Sequence, residues 1–179
     1  EFNVVGNYVQ TGRSLVMQTA NGVGTNATVL SLQGNFNHTG GTFGLTSTDQ
    51  SAANELFVVE LDGTGAQTIT STGTVQDVNS MITLRLNNAA GASLASPASF
   101  GKISWNSANK GIVTTTTTNV LSITNPDATA VTVINAPADN GYVNGPVRRS
   151  TNSTSAYLFP TGKSGFFRFA QVIPAATTA

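Results

Sequence analysis

The chain of 179 residues contains no cysteine and a single histidine, His38. A disulfide framework, a thiolate metal site and a cysteine nucleophile are therefore excluded, and so is a multi-histidine metal site. Charge is also scarce. Asp, Glu, Lys and Arg make up 9% of the residues and the formal net charge is zero, whereas a globular domain carries about 25% charged residues. No run of 18 apolar residues occurs, so no membrane span is expected. No segment places apolar residues at i, i+3, i+4 and i+7 between a cap and a stop, so no helix is expected either. No signal peptide is read at the start. The chain opens inside a repeat, which suggests a mature form or an excised fragment.

In place of charge the chain is rich in Thr, Ser, Asn, Gly and Ala, with Val and Ile plentiful. Disordered chains pair high net charge with few β-branched residues, so this composition points to order. Thr suits an exposed strand face, and Asn and Gly suit corners. The organising unit is Leu30 to Leu45, L-S-L-Q-G-N-F-N-H-T-G-G-T-F-G-L. Leu30 and Leu32 alternate with polar residues, Gly34-Asn35 interrupt the alternation, and Phe36, Phe43 and Leu45 resume it. This reads as strand, corner, strand. Phe2 to Met17 repeats it 28 residues earlier, with Phe2, Val4, Tyr8, Leu15 and Met17 at the apolar positions. A third coil begins at Val59-Glu60-Leu61, where Phe36 has no counterpart. Loops are expected over residues 21–26 and 46–55, side by side on one flank.

Beyond the third coil the period shortens. Leu84-Arg85-Leu86, Ile103-Ser104-Trp105 and Leu121-Ser122-Ile123 lie 19 and 18 residues apart. Asn follows each pair closely, as Asn7 and Asn35 follow the first two, so stacked Asn corners are expected. Whole units recurring at a fixed phase indicate a solenoid. The expected fold is all-β: a right-handed parallel β-helix over residues 1–139, with an antiparallel, Pro- and aromatic-rich cap over 140–179. A β-sandwich is the alternative, since it too predicts short strands and frequent turns. In the cap, Asn140-Gly141 and Asn144-Gly145 read as hairpin turns and Lys163-Ser164-Gly165 as another.

The stretches G-Y-V-N-G-P-V-R-R (Gly141 to Arg149) and Y-L-F-P-T-G-K-S-G-F-F-R (Tyr157 to Arg168) resemble a signature of large secreted surface proteins of Bacteroidetes. The coils Leu30 to Leu45 and Leu61 to Ile69 resemble the imperfect repeats of the same proteins. The resemblance implies a parallel β-helix in adhesin-like proteins exported by the type IX route, and a secreted or cell-surface location. The chain departs from the pattern at Phe169-Ala170, where Pro usually follows the Arg, and no sorting domain follows Ala179.

Candidate chemistry is sparse. Parallel β-helices that cleave polysaccharides need carboxylates presented on one strand face. Glu60 and Asp62 are the closest pair, and the plainer reading of them is a solvated strand face. Aligning Leu61 with Leu86 makes Glu60 and Arg85 cross-coil neighbours. His38 reads as a surface corner residue. Gly162-Lys163-Ser164 lacks the rest of a phosphate loop. Thr114 to Thr118 reads as a plain strand or loop, not as an ice-binding face. Three Asn-x-Ser/Thr matches, at Asn26, Asn37 and Asn152, are expected by chance in so Asn/Thr-rich a chain. Residues 140–179 hold Arg148, Arg149, Lys163 and Arg168 and no acid, which marks a possible interaction patch but not a nucleic-acid site. No cofactor is expected. The expected function is an extracellular structural or adhesive module that self-assembles into filaments or arrays or associates with neighbouring domains of a longer chain, with surface glycans as further partners. The alternative is a polysaccharide-binding or polysaccharide-degrading β-helix protein.

Overall fold

The structure, a computed structural model, describes residues 1–17, 27–46, 56–106, 108–132 and 141–175. The loops expected over 21–26 and 46–55 fall outside these residues, Thr46 apart. In chain order the strands are β1 (Phe2–Val4), β2 (Tyr8–Met17), β3 (Thr28–Leu32), β4 (Phe36–Leu45), β5 (Phe57–Leu61), β6 (Gln67–Ser71) and β7 (Thr74–Asp77). They continue with β8 (Ile82–Leu86), β9 (Ala92–Leu94), β10 (Ala98–Phe100), β11 (Lys102–Trp105), β12 (Ile112–Thr114), β13 (Leu121–Ile123) and β14 (Val131–Thr132). The last are β15 (Tyr142–Asn144), β16 (Val147–Arg149), β17 (Tyr157–Phe159), β18 (Gly162–Lys163), β19 (Phe166–Phe167) and β20 (Ala170–Val172).

These strands stack as a parallel β-solenoid. One face is a six-stranded sheet in the order β1-β3-β5-β8-β11-β14. A second runs β15-β12-β9-β6-β4-β2, with β7 beside β4, and a third is β10-β13-β16. Register follows the apolar alternation. Phe2, Leu30, Val59, Leu84, Ile103 and Val131 form one inward row, and Val4, Leu32, Leu61, Leu86 and Trp105 the next. Leu32, Leu61, Leu84 and Leu86 are all 0% exposed, and burying such a side chain is worth about 1.5–3 kcal/mol each. A one-residue slip would turn every one of them outward, so the alternation fixes the register.

The corner after the first strand is a hydrogen-bonded column through the first three coils. Asn7 Oδ1 accepts from Asn35 N at 2.8 Å, and Asn35 Oδ1 accepts from Thr68 N at 2.8 Å. Each side chain thereby satisfies a backbone donor that the turn leaves outside the sheet ladder. Gly34 is required by the closeness of the coils: a Cβ there would lie 2.5 Å from Gly6 C and 2.6 Å from Asn7 N. Beyond the corner Tyr8 stacks on Phe36 at 5.2 Å, and Phe36 meets Phe43 edge-on at 5.1 Å. Burial of Tyr8 pushes its hydroxyl pKa up to about 12.

Four expectations change. The third coil does supply a counterpart to Phe36, which is Ile69. Leu121 and Ile123 do not stack on Ile103 and Trp105; they pair with Ala98 and Phe100 on another face. The same apolar-x-apolar-Asn signature occurs on two faces of the coil, so spacing alone misassigned it. Parallel pairing also runs past residue 140, since β15 pairs with β12 and β16 with β13. The Asn-Gly pair at 144–145 is thus a solenoid corner, not a hairpin, while Asn140 lies outside the described residues. The antiparallel part is β17 with β20 and β18 with β19, where Ser164 (φ 55°) and Gly165 (φ 83°) make the expected tight turn. Finally, His38 is 0% exposed rather than a surface residue. Its ring packs against Phe36 and Phe43, and Gly73 leaves room for it, since a Cβ there would sit 2.2 Å from Nε2.

Candidate functional site

The outer face of the six-stranded sheet carries Ser31, Glu60, Arg85 and Ser104 in one row. Glu60 and Arg85 are neighbours, as the alignment required, with 3.5 Å between Oε2 and Nη1. The face is not the solvated one expected: Glu60 is only 8% exposed, and Ser31 and Ser104 are also buried. Asp62, half-buried, accepts from Ser31 Oγ at 2.7 Å. The two carboxylates therefore share a face; Glu60 meets Arg85, and Asp62 has Oδ2 on Ser31 while its Oδ1 is buried with no hydrogen-bond partner among the described residues. A buried carboxylate held in an ion pair is poorly placed to exchange a proton with a polymer in solvent. Beside Asp62, a cavity of about 260 Å³ is lined by Thr64, Asn87, Asn88 and Asn109 among others, and Asn109 Nδ2 donates to Asn87 Oδ1 at 3.1 Å.

The four C-terminal cations do not act together. Arg149 is a structural pin. Its Nη1 donates to Leu158 O at 2.6 Å, and its Nη2 to Asp127 O at 2.8 Å and Ala128 O at 2.6 Å. Its guanidinium lies 5.0 Å over the Tyr157 ring. Burial pushes its pKa down from the ordinary arginine value. Arg148, Lys163 and Arg168 are exposed, and Arg168 sits 5.7 Å over the ring of Phe166. Sequence alone did not separate Arg149 from its neighbour, because adjacent strand residues point to opposite faces and only the packing says which face the cap covers.

A larger cavity of about 380 Å³ opens where three corners meet, lined by Asn79, Ser80, Met81, Asn125, Pro126, Asp127 and Asn152. Asp77 braces the first corner from behind: its Oδ1 accepts from Met81 N at 2.6 Å and Ile82 N at 3.0 Å. That closes a tight turn in which Asn79 (φ 65°, ψ 12°) and Ser80 (φ 55°) are both left-handed. Asn125 ties the second corner to the first, donating from Nδ2 to Ser80 O at 3.0 Å and accepting Asp127 N on Oδ1 at 2.9 Å. Hydrogen bonds from Thr129 N and Oγ1, both 2.8 Å, hold the Asp127 carboxyl below the ordinary range, so it stays ionised. No repeated spacing links residues 79, 125 and 152, so nothing in the pattern of residues marks them as neighbours.

Burial raises the Asp77 pKa above its ordinary 3.8, outweighing the lowering from backbone N–H groups and Lys102. The folded state thus holds this proton more tightly than the unfolded chain does. The contribution of Asp77 to stability is full below the ordinary carboxylate pKa and is lost as pH rises through the raised one. Asp77→Asn keeps an acceptor for Met81 N and Ile82 N without the buried charge. Chemical denaturation should find the variant equal to the native chain near pH 3 and more stable than it at pH 7.

Among the described residues no three His, Cys, Asp or Glu side chains gather as a metal site would require, and no helix is long and apolar enough to cross a membrane. No protein-family model, curated protein or solved structure matches this chain.

Proposed function

We propose that the chain is a structural or adhesive module that works by pairing its open N-terminal coil with that of a second copy. One observation carries this reading. The inward row Phe2, Leu30, Val59, Leu84 is 0–4% exposed from Leu30 onward, yet its first member Phe2 is 56% exposed. Among the described residues the first coil is thus less covered than the second, and β1 and β2 each have a single neighbour in their sheets. Tyr8 N donates to Asn35 O and Val4 O accepts from Gln33 N. Alternation then points the backbone groups of Asn3 and Val9 to the open side. Such an edge templates further pairing. At the opposite end β15 is covered, Val143 N donating to Pro160 O at 2.7 Å, while β14 and β16 have one neighbour each in their sheets. Pairing of like edges is isologous, so it closes on a two-fold axis as a head-to-head pair. Zero net charge leaves little repulsion against it. The extracellular, adhesin-like setting rests on the sequence resemblance alone.

Sedimentation equilibrium of the purified chain should show twice the monomer mass at micromolar to submillimolar concentration. Phe2→Asp, which places a charge on the open core, and Val9→Pro, which removes an edge donor, should each return the mass to that of a monomer. A native chain that stays monomeric throughout that range sinks the proposal.

A further inference from the structure

We propose that the cavity between the Asn79, Asn125 and Asn152 corners is a binding subsite for a neutral saccharide. It is a separate site from the N-terminal edge, on a different part of the coil stack. Its volume of about 380 Å³ lies within the ~300–1,000 Å³ usual for small-ligand sites. Its lining combines what a sugar ring needs. Met81 and Pro126 offer apolar surface to the C–H face of the ring. Asn79 and Asn152 carry amides that both donate and accept, and the ionised Asp127 supplies a strong acceptor for a pair of hydroxyls.

The other ligand classes fit less well. A calcium ion takes six to eight oxygens, and several of those at hand are already engaged. Ser80 O holds Asn125 Nδ2, Asn125 Oδ1 holds Asp127 N, and Asp127 Oδ1 holds both donors of Thr129. An anion would meet Asp127, the one charged side chain in the lining. A neutral polyol asks for neither a full coordination shell nor a cation.

The backbone at the rim points the same way. Two consecutive non-glycine residues, Asn79 and Ser80, are held in left-handed conformations. Each such residue costs of order 1 kcal/mol or more and persists where the surroundings impose it, often at ligand sites. The turn presents the exposed Asn79 side chain at the mouth, and Asp77 and Asn125 brace it from behind.

The test is saturation-transfer NMR and titration calorimetry on the whole chain with glucose, galactose, mannose, N-acetylglucosamine and their β-1,4 or α-1,2 disaccharides, at millimolar concentration. At least one should bind the native protein. Asn79→Gly removes the amide while easing the left-handed backbone, so it should weaken binding at least tenfold with an unchanged or higher melting temperature. Asp127→Asn should weaken binding likewise. Thr64→Ala, at the other cavity, should leave it unaltered. Absence of binding across the panel, binding indifferent to Asn79→Gly and Asp127→Asn, or binding abolished by a calcium chelator would each overturn the proposal. Neither result bears on sedimentation, so this site and the N-terminal pairing stand or fall separately.

Discussion

Replacing Gln67 with Leu should destabilise the protein by about 3–5 kcal/mol, which at ~2–4 °C per kcal/mol for a chain of this size is a fall of roughly 10 °C in melting temperature. Gln67 is 2% exposed and holds one corner to two others. Its Nε2 donates to Leu32 O at 2.8 Å and, by a short bond, to Gly34 O. Its Oε1 accepts from Gly63 N at 3.1 Å and Asn88 Nδ2 at 2.7 Å. Two partners survive its loss: Leu32 O still takes Asp62 N, and Asn88 Nδ2 still reaches Gly65 O. Gly63 N and Gly34 O lose these bonds inside the stack, and each orphaned group costs about 1–3 kcal/mol. Gln67→Glu sharpens the test, because it sets a carboxylate oxygen against two carbonyls. Burial would raise that carboxyl's pKa, so the variant should be worse than Gln67→Leu at pH 7 and recover as the pH falls. Differential scanning calorimetry across pH reads both effects. A loss under 1 kcal/mol for Gln67→Leu would show that the corner is not held as described.

Arg149→Met should cost about 2–4 kcal/mol and release the antiparallel cap while leaving the coils intact. Met keeps apolar contact with Tyr157 but strips three carbonyls on two segments of their donor. Burial of the guanidinium already weighs against the native pair, since Nε is buried without a hydrogen-bond partner. That desolvation cost keeps the net loss below the sum of three charge-assisted bonds. Arg149→Lys should not rescue, because one ammonium cannot span Leu158 O, Asp127 O and Ala128 O as the planar fork does. Limited proteolysis should cut near residues 150–156 in both variants, and amide exchange should rise over β17 and β20 with β3, β5 and β8 unchanged. Uniform loss of protection, or none, would contradict the assigned role.

Much of the fold was legible because one signal governs it. Leu30, Leu32, Phe36, Phe43 and Leu45 report which side of the strand faces in, and their repetition at Phe2 to Met17 reports that neighbours stack in parallel. The Glu60–Arg85 pair followed from that register without any coordinates. The signal failed where it had two solutions, as at Leu121 and Ile123, whose pattern fits either of two sheets. It failed again where burial comes from beyond the strand itself. Glu60 and Ser31 are polar residues whose positions look exposed along the sequence and are covered in three dimensions, whereas His38 shares the inward face of Phe36 two residues earlier and only its polarity suggested the surface. The candidate cavity was the least legible feature, because its residues come from three corners with no common spacing and become neighbours only once the coils are stacked.

The most direct test of the proposed pairing is amide hydrogen exchange over the first coil as a function of protein concentration. The amides of Asn3 and Val9 point away from β3 and β4, and among the described residues no backbone acceptor takes them. On pairing they should slow at least tenfold between micromolar and submillimolar protein, with Phe2→Asp abolishing the change and the amides of β17 and β20 indifferent to concentration. Exchange at Asn3 and Val9 that stays fast at every concentration would contradict the account.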